Sequence, residues 1–357
     1  MCKFKDVCST STGNKNTQDK IDDGIYPFYV RSQTVERINS WTFDGEAILT
    51  AGDGVGVGKV FHHTYGKIGV HQRVYILSNF KCDANYLFHF FSSNFYNRVK
   101  RMSAKNSVDS VRKEMITEMP LYLPSEQEQT KIGVLLSLLD ERIATQNKII
   151  EDLKKLKSAI IDYAINSLNT DFAKFGSLYE MASEGGTPTT SNASFYDNGK
   201  IPFIKIEDLK QKYLTENKDF ITELGLQKSS AWLVPTHSIL FSNGATIGDI
   251  SITTYPVCTK QGILGIVPKQ NIDVEFLYYF MSSSYFKKAV SRIVTEGTMK
   301  TAYLKDINNI LCPIPTKEKQ QEIAKMPSAL NSKIDFEQSI LKLFCSQKQH
   351  LLRQMFI

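Results

Sequence analysis

The chain is written twice, and that duplication restricts its possible folds more than any other feature. Reading from Pro124 gives PSEQEQTKIGVLLSLLDERIATQNKIIEDL, and a shift of 191 positions reaches Pro315 and PTKEKQQEIAKMPSALNSKIDFEQSILKLF. Without a gap, Gln129 falls on Gln320, Ile132 on Ile323, Leu139 on Leu330, Ile143 on Ile334, Ile149 on Ile340 and Leu153 on Phe344. The stretches upstream echo each other too: FKDV at 4–7 with FGSL at 175–178, PFYV at 27–30 with PFIK at 202–205, YLFHF at 86–90 with FLYYF at 276–280. The offset between partners grows along the chain, so the second copy carries extra residues, mostly early on. The order is therefore domain, helix, domain, helix.

The repeated segments after the prolines read as long helices. Ser125 is placed to cap the first, with Glu128 three residues on as a capping box requires. Ile132, Leu136, Leu139 and Ile143 form one coiled-coil stripe, and Ile149, Leu153, Leu156, Ile160 and Tyr163 a second. The spacing predicts a local stammer near Thr145 and Gln146 where the stripes fail to join. A helix from Ser125 to Asn166 would be roughly 60 Å long and must bury its stripe on a partner, which the second copy supplies in antiparallel order. The expected interface sets Ile132, Leu136, Leu139, Ile143, Leu153 and Leu156 against Ile323, Leu330, Ile334, Ile340 and Phe344. Pro327 stands where the first copy has Leu136, which predicts a kinked helix or one that starts afresh there.

The domains read as mixed. Short β-rich runs at 47–50, 74–77, 238–241 and 262–267 alternate with Gly, Asn and Asp turns, and a helical stretch follows at 85–101 and again at 274–293. The fold class is α+β: two mixed α/β domains joined by two long antiparallel coiled-coil helices in a pseudo-twofold repeat. The boundaries fall at 1–124, 125–168, 169–315 and 316–357. A length of 357 residues agrees with more than one domain.

Composition excludes several classes. No apolar run approaches a membrane span, and MCKFKDV places charges where a signal peptide keeps its apolar core. Six scattered cysteines without a CxxC pair argue against a zinc cluster or a disulfide framework and suit a reducing cytoplasm. The net charge of +6 is spread along the chain, so DNA binding would rest on locally basic faces, and an ordinary solvated surface would carry the same balance.

AGDGVGVGK at 51–59 is not a phosphate loop: Asp53 occupies the first glycine's place, and Val60 follows the lysine where Ser or Thr is needed. It reads as a turn requiring positive φ, with direct contact of Gly54 to DNA as the alternative. The matching place in the second domain, Ser242-Asn243-Gly244-Ala245-Thr246, is also a glycine turn, with Asn243 and Thr246 as its candidate contacts. His62, His63, His71 and His89 lack acidic or cysteine partners at metal-ligand spacing. No amino-methylase motif is present, and acid-x-Lys strings such as Asp208-Leu209-Lys210 do not define a nuclease. Three kinds of place suit DNA. Arg31-Ser32-Gln33-Thr34 offers side chains that pair bidentately with guanine and adenine. Thr187, Thr189, Thr190, Ser191 and Asn192 form a hydroxyl-rich loop, with Lys205 and Lys210 downstream. His71-Gln72-Arg73 and Thr259-Lys260-Gln261 are matching polar clusters between apolar runs. Each also reads as an ordinary solvated loop. Phe88, Phe90, Tyr278, Tyr279 and Phe280 lie at helical spacing and are expected in the core.

With its repeat, its Pro-x-x-x-Glu/Lys-Gln entry to each helix, and Gly185-Gly186-Thr187-Pro188 ahead of Ile201-Pro202-Phe203-Ile204-Lys205, the chain resembles the specificity subunits of type I restriction-modification enzymes. The first domain lacks the GGTP string, so its opening belongs to another sequence class or a short N-terminal stretch is missing. The resemblance implies two target-recognition domains, each reading half of a split, asymmetric site in double-stranded DNA. It implies a helical ruler for the unread spacer, docking of two methylation subunits, and restriction subunits beyond them. It also implies a non-catalytic, cytoplasmic chain without metal or cofactor, with S-adenosylmethionine, ATP and Mg on the partners. The other readings are a nuclease or methylase with fused recognition domains, and a coiled-coil interaction protein without DNA function.

Overall fold

The computed structural model describes residues 2–103, 110–244, 246–294 and 300–356. It contains two compact units, residues 1–148 with 339–357, and residues 149–338. The division falls inside the two long helices, so each unit takes a domain together with a half of each helix.

The first unit holds β1 (Ser9–Thr12), β2 (Tyr26–Tyr29), β3 (Val35–Ile38), β4 (Phe43–Ala51), β5 (Phe61–Val70) and β6 (Val74–Ser78) in one sheet of order β1-β6-β4-β5-β2-β3. The central strand β4 ends in a wholly buried run, Ala47 to Ala51, as a strand covered on both faces demands. β2 and β5 run parallel, with Phe28 beside Gly69 and Tyr29 beside Val70. Helix α1 (Ala84–Met102) starts where the Asp83 carboxylate accepts from Tyr86 N–H (2.9 Å), and it buries Phe91 and Phe95 against Phe4 and Phe61. Helix α2 (Glu126–Asn166) follows. The carboxylate of Glu128 reaches back to Ser125 N–H (3.0 Å) and hydroxyl (2.8 Å), so the serine donates to the acid at this end.

The second unit repeats the plan with one break. It holds β7 (Tyr179–Glu184), β8 (Ile201–Ile204), β9 (Tyr213–Leu214), β10 (Asp219–Ile221), β11 (Ile239–Ser242), β12 (Ile250–Thr253), β13 (Cys258–Thr259) and β14 (Ile263–Pro268). These form sheets of order β7-β14-β11-β12-β9 and β10-β8-β13. The parallel pair recurs as β8 and β13, with Phe203 beside Cys258. What is one ten-residue strand in the first unit, β5, is here split into β12 and β13 around Tyr255-Pro256, because proline has no N–H for the ladder. The helix expected over 274–293 is two, α3 (Val274–Ser282) and α4 (Ser284–Ile293). Ser283 is extended between them and its hydroxyl accepts from Phe286 N–H (3.3 Å), a fresh N-cap inside the apolar pattern. The expected core aromatics are in place: Tyr279 and Phe280 are buried, and Phe88, Phe90 and Tyr278 are half-buried against the cores.

The last helix, α5 (Lys317–Met355), is continuous through Pro327, so the expected restart does not occur. Within the first unit Asp140 meets Lys348 and the Arg142 guanidinium lies over Phe344, rising numbers against falling ones, so the helices are antiparallel there. In the second unit Lys157 donates to Asn331 Oδ1 (2.8 Å), while Ile161 and Ile165 further along share a core with Ala324.

The seam departs from the expected one. Leu156 is 47% exposed and Tyr163 77%, and Ile149 is exposed as well. The buried or half-buried line instead runs Ile132, Leu136, Leu139, Ile143, Gln146, Ile150, Leu153, Lys157, Ile160, an unbroken four-three alternation without a stammer. Apolarity misled the reading because two seam positions are polar: Gln146 is buried, and Lys157 lays its stem in the seam while its ammonium reaches Asn331. On α5, Ile334 is buried, and Ile323, Leu330, Ile340 and Phe344 are half-buried.

Each helix root is fastened to the domain before it by the same joint. Asp83 N–H donates to Gln129 Oε1 (3.1 Å), and Gln129 Nε2 donates to the Pro124 carbonyl (2.9 Å). Asp273 N–H donates to Gln320 Oε1 (2.8 Å), and Gln320 Nε2 to the Pro315 carbonyl (2.9 Å). Two turns on, Ser137 bonds Asn85 and His89, and its counterpart Ser328 bonds Glu275 and Tyr279. The second joint adds Lys212, whose buried ammonium reaches Ser328 (3.0 Å) and Glu275 (2.9 Å) among the rings of Tyr213 and Tyr279.

Candidate nucleic-acid interface

Backbone hydrogen bonds put the two domains in register around one hollow each. His71 N–H donates to the Tyr29 carbonyl (3.0 Å) as Lys260 N–H does to Ile204 (2.9 Å). Gly52 N–H donates to Arg73 (2.8 Å) as Asn243 N–H does to Gly262 (3.0 Å), and Val111 N–H donates to Gly52 (2.7 Å) as Ala302 N–H does to Asn243 (2.9 Å). Positions 31, 53 and 73 of the first domain therefore correspond to 206, 244 and 262 of the second.

In the first domain the hollow is lined by Thr12, Asp53, Gln72, Arg73, Tyr75 and Ser110. Asp53 Oδ1 accepts from Arg31 NH1 (2.9 Å), and Oδ2 lies 3.7 Å from Arg73 Nε. The glycine turn makes this possible, with Gly54 and Gly58 at φ of +77° and +65°. A Cβ on Gly52 would come within 2.9 Å of the Arg73 carbonyl, and one on Gly56 within 2.4 Å of the Arg31 carbonyl. The turn is thus wrapped against the backbones of both arginines.

The hollow of the second domain includes Glu184, Thr187, Lys205, Lys260, Gln261 and Tyr303. Gly262 N–H donates to Glu184 Oε1 (2.8 Å), Gln261 N–H to Thr187 Oγ1 (3.3 Å), and the Lys205 ammonium is held by Asp219 at 2.8 Å. At the three corresponding positions stand Ile206, Gly244 and Gly262.

Several expected contacts are exposed where a ligand could reach them: Arg31, Gln33, Thr34, Gly54, Gln72, Arg73, Thr189, Thr190, Ser191, Thr246, Lys260 and Gln261. Others belong to the scaffold. His71 is 4% exposed; its Nδ1 accepts from Arg73 N–H (3.0 Å), and burial foremost, with the charge of Arg31, keeps its pKa below the usual histidine value. Asn243 is 1% exposed and donates to the Ala302 carbonyl (3.2 Å). Both hold a turn and are withdrawn as DNA contacts. Asn192 and Ser32 are exposed as well but already hold local turns, Asn192 accepting from Ser194 N–H (3.2 Å) and Ser32 donating to the Thr34 carbonyl (3.1 Å). Ala245 lies outside the described residues. Asp53, Ser110, Glu184 and Tyr303, none of them among the expected contacts, also line the hollows; strand register sets Glu184 at the place that Thr12 holds in the first domain, one residue beyond the ungapped sequence match, so only the structure shows it. Among the described residues no cluster of three or more His, Cys, Asp or Glu could hold a metal, and no helix is long and apolar enough to cross a membrane.

The fold defines a duplicated α+β scaffold with two long helices, each copy carrying such a hollow. The chain belongs to the family described as type I restriction modification DNA specificity domain, whose profile matches residues 1–155 and again 169–343. It is similar to the specificity subunit of the type I restriction enzyme EcoDI of Escherichia coli, 23% identical over 362 residues, covering 90% of this chain and 78% of that one. It is 31% identical over 171 residues to the MjaIX specificity subunit of Methanocaldococcus jannaschii, across 46% of this chain and 38% of that one. Among solved structures it resembles in fold the S subunit of a type I restriction-modification system from M. genitalium, with a TM-score of 0.67, 16% identity, and coverage of 99% of this chain and 95% of that one.

Proposed function

We propose that this chain selects the DNA sequence for a type I restriction-modification complex, a host-defence system of the cytoplasm. Each domain, residues 1–124 and 169–315, reads one half of a bipartite site, and the helices of 125–168 and 316–357 serve as the ruler for the unread spacer. Half-sites about one turn of DNA apart, roughly 34 Å, suit such a ruler. The chain docks two methylation subunits, which bring S-adenosylmethionine and flip the target adenine from the stack. Through them it engages restriction subunits that use ATP and Mg. It holds no cofactor and no catalytic residue of its own.

The observation that carries this reading is the pair of hollows, one in each copy of a single fold, lined with different hydrogen-bonding groups. A duplicated scaffold with unlike chemistry at one place suits an asymmetric target. A coiled-coil interaction protein would leave both hollows without a role. The test is a gel shift of the chain with its methylation subunit against random DNA, followed by mapping of methylated adenines in the host with and without the gene. A bipartite motif that vanishes with the gene is expected, and the absence of any sequence-specific complex overturns the reading.

A further inference from the structure

The glycine turn of the first domain has no counterpart in charge in the second. Its three corresponding positions hold Arg31, Asp53 and Arg73 in one domain and Ile206, Gly244 and Gly262 in the other. In the second domain these three close on one another: a Cβ on Gly262 would lie 3.8 Å from both Gly244 Cα and Ile206 Cδ1. The same three positions therefore carry no side-chain charge in one domain, where the Glu184 carboxylate instead accepts from Gly262 N–H, and an Arg-Asp-Arg set in the other.

Stability does not account for the charged set. Both arginines are exposed and Asp53 is half-buried, a setting where an ion pair contributes little, and the set brings two guanidiniums together at the rim of a hollow. Phosphate binding does not account for it either, since a carboxylate between two arginines weakens their hold on an anion. A base edge is different. Guanine presents N7 and O6 as acceptors in the major groove, and its cytosine partner presents an N4 amine that a carboxylate accepts. Asp53 engages Arg31 through NH1 and Arg73 through Nε, so among the described residues each guanidinium keeps another edge for a bidentate contact. The hydrogen bond to Asp53 orders the Arg31 fork beforehand and reduces the entropy lost on binding, while Arg73 is drawn to the same carboxylate by charge alone.

We infer that Arg31 and Arg73, held by Asp53, form the guanine-reading element of the first domain, and that the second domain lacks such an element at this place. The assignment rests on the DNA-reading function proposed above and adds the base class to it. The experiment uses the full chain assembled with its methylation subunits. Its target is determined by selection from random DNA and the half-site of each domain is assigned by exchanging residues 169–315. The wild-type complex should require guanine in the half-site of the first domain. Arg31→Ala and Arg73→Ala should each lower discrimination at one G·C pair by about ten- to a hundredfold, leaving the other half-site's preferences unchanged as a control for folding. Arg31→Lys should fail to restore it, because lysine lacks the fork. Asp53→Asn should relax selectivity at the same pair. Uniform weakening on all sequences with rescue by lysine would mark a phosphate contact and overturn the assignment, as would a first half-site without guanine. A wild-type complex with no sequence preference would instead sink the functional reading itself.

Discussion

His89 illustrates what burial does to a single side chain. It sits on α1 with Nε2 3.3 Å from Ser137 Oγ and Nδ1 3.8 Å from the Asp140 carboxylate, while Lys348 stands close by. Burial, followed by the charge of Lys348, pushes its pKa down to about 4 against the pull of Asp140. Between pH 6.5 and 4 the unfolded chain therefore binds a proton that the folded one refuses, so folding weakens as pH falls through that window. The expected loss is about 2 kcal/mol between pH 7 and pH 5. Chemical denaturation at both values should show it, and His89→Gln should flatten the dependence. Lys212 is the opposite case, a buried cation satisfied by Glu275, Ser328 and two tyrosine rings. Lys212→Met removes the ion partner of Glu275, which keeps the Ser328 and Tyr213 hydroxyls and some contact with solvent, and should cost about 1–2 kcal/mol by denaturant titration.

At the scale of elements, the joints at the helix roots decide how each domain is carried. Gln129 and Gln320 are both buried, and each satisfies the first N–H before a domain helix and the carbonyl of the proline that opens its own helix. Alanine at either position leaves a largely half-buried donor and acceptor without that partner, an expected cost of about 1 kcal/mol each in equilibrium unfolding. Since the two lie in separate units, the double variant should show the sum. Pro327 is the converse: it removes one hydrogen bond from a helix that nevertheless runs unbroken from Lys317 to Met355. Pro327→Ala should raise the thermal midpoint by restoring that bond, with a gain bounded by about 3 kcal/mol. A lowered midpoint would mean that the buried ring contributes more packing than its missing donor costs.

For the whole molecule, duplication with divergence predicts that the two halves are separable in function. Replacing residues 169–315 with the equivalent segment of another family member should change one half of the recognised motif and leave the other intact, as read from methylated adenines. A simultaneous change in both halves would contradict independent reading. Much of this organisation was legible beforehand. The shared prolines and the Gln129–Gln320 match located both helices, and β-rich runs between Gly, Asn and Asp turns located β4, β6, β11 and β14 to within a few residues. The split of the 274–293 helix was not legible, because Ser283 interrupts an apolar pattern that continues on both sides. The second half of the coiled-coil seam was missed for a related reason: Ile149 and Leu156 are more apolar than the Gln146 and Lys157 that the helix turns inward.

The sequence by itself determined the repeated layout, the mixed domains, the helix starts and the glycine turn, because each follows from spacing over a few neighbouring residues. Tertiary structure alone decided which polar groups meet. Asp53 lies between Arg31 and Arg73 because parallel pairing of β2 with β5 brings Tyr29 beside Val70, and because Gly52 and Gly56 let the turn close on both backbones. A contact across tens of residues depends on which strands pair and in which register, and local periodicity carries no record of that.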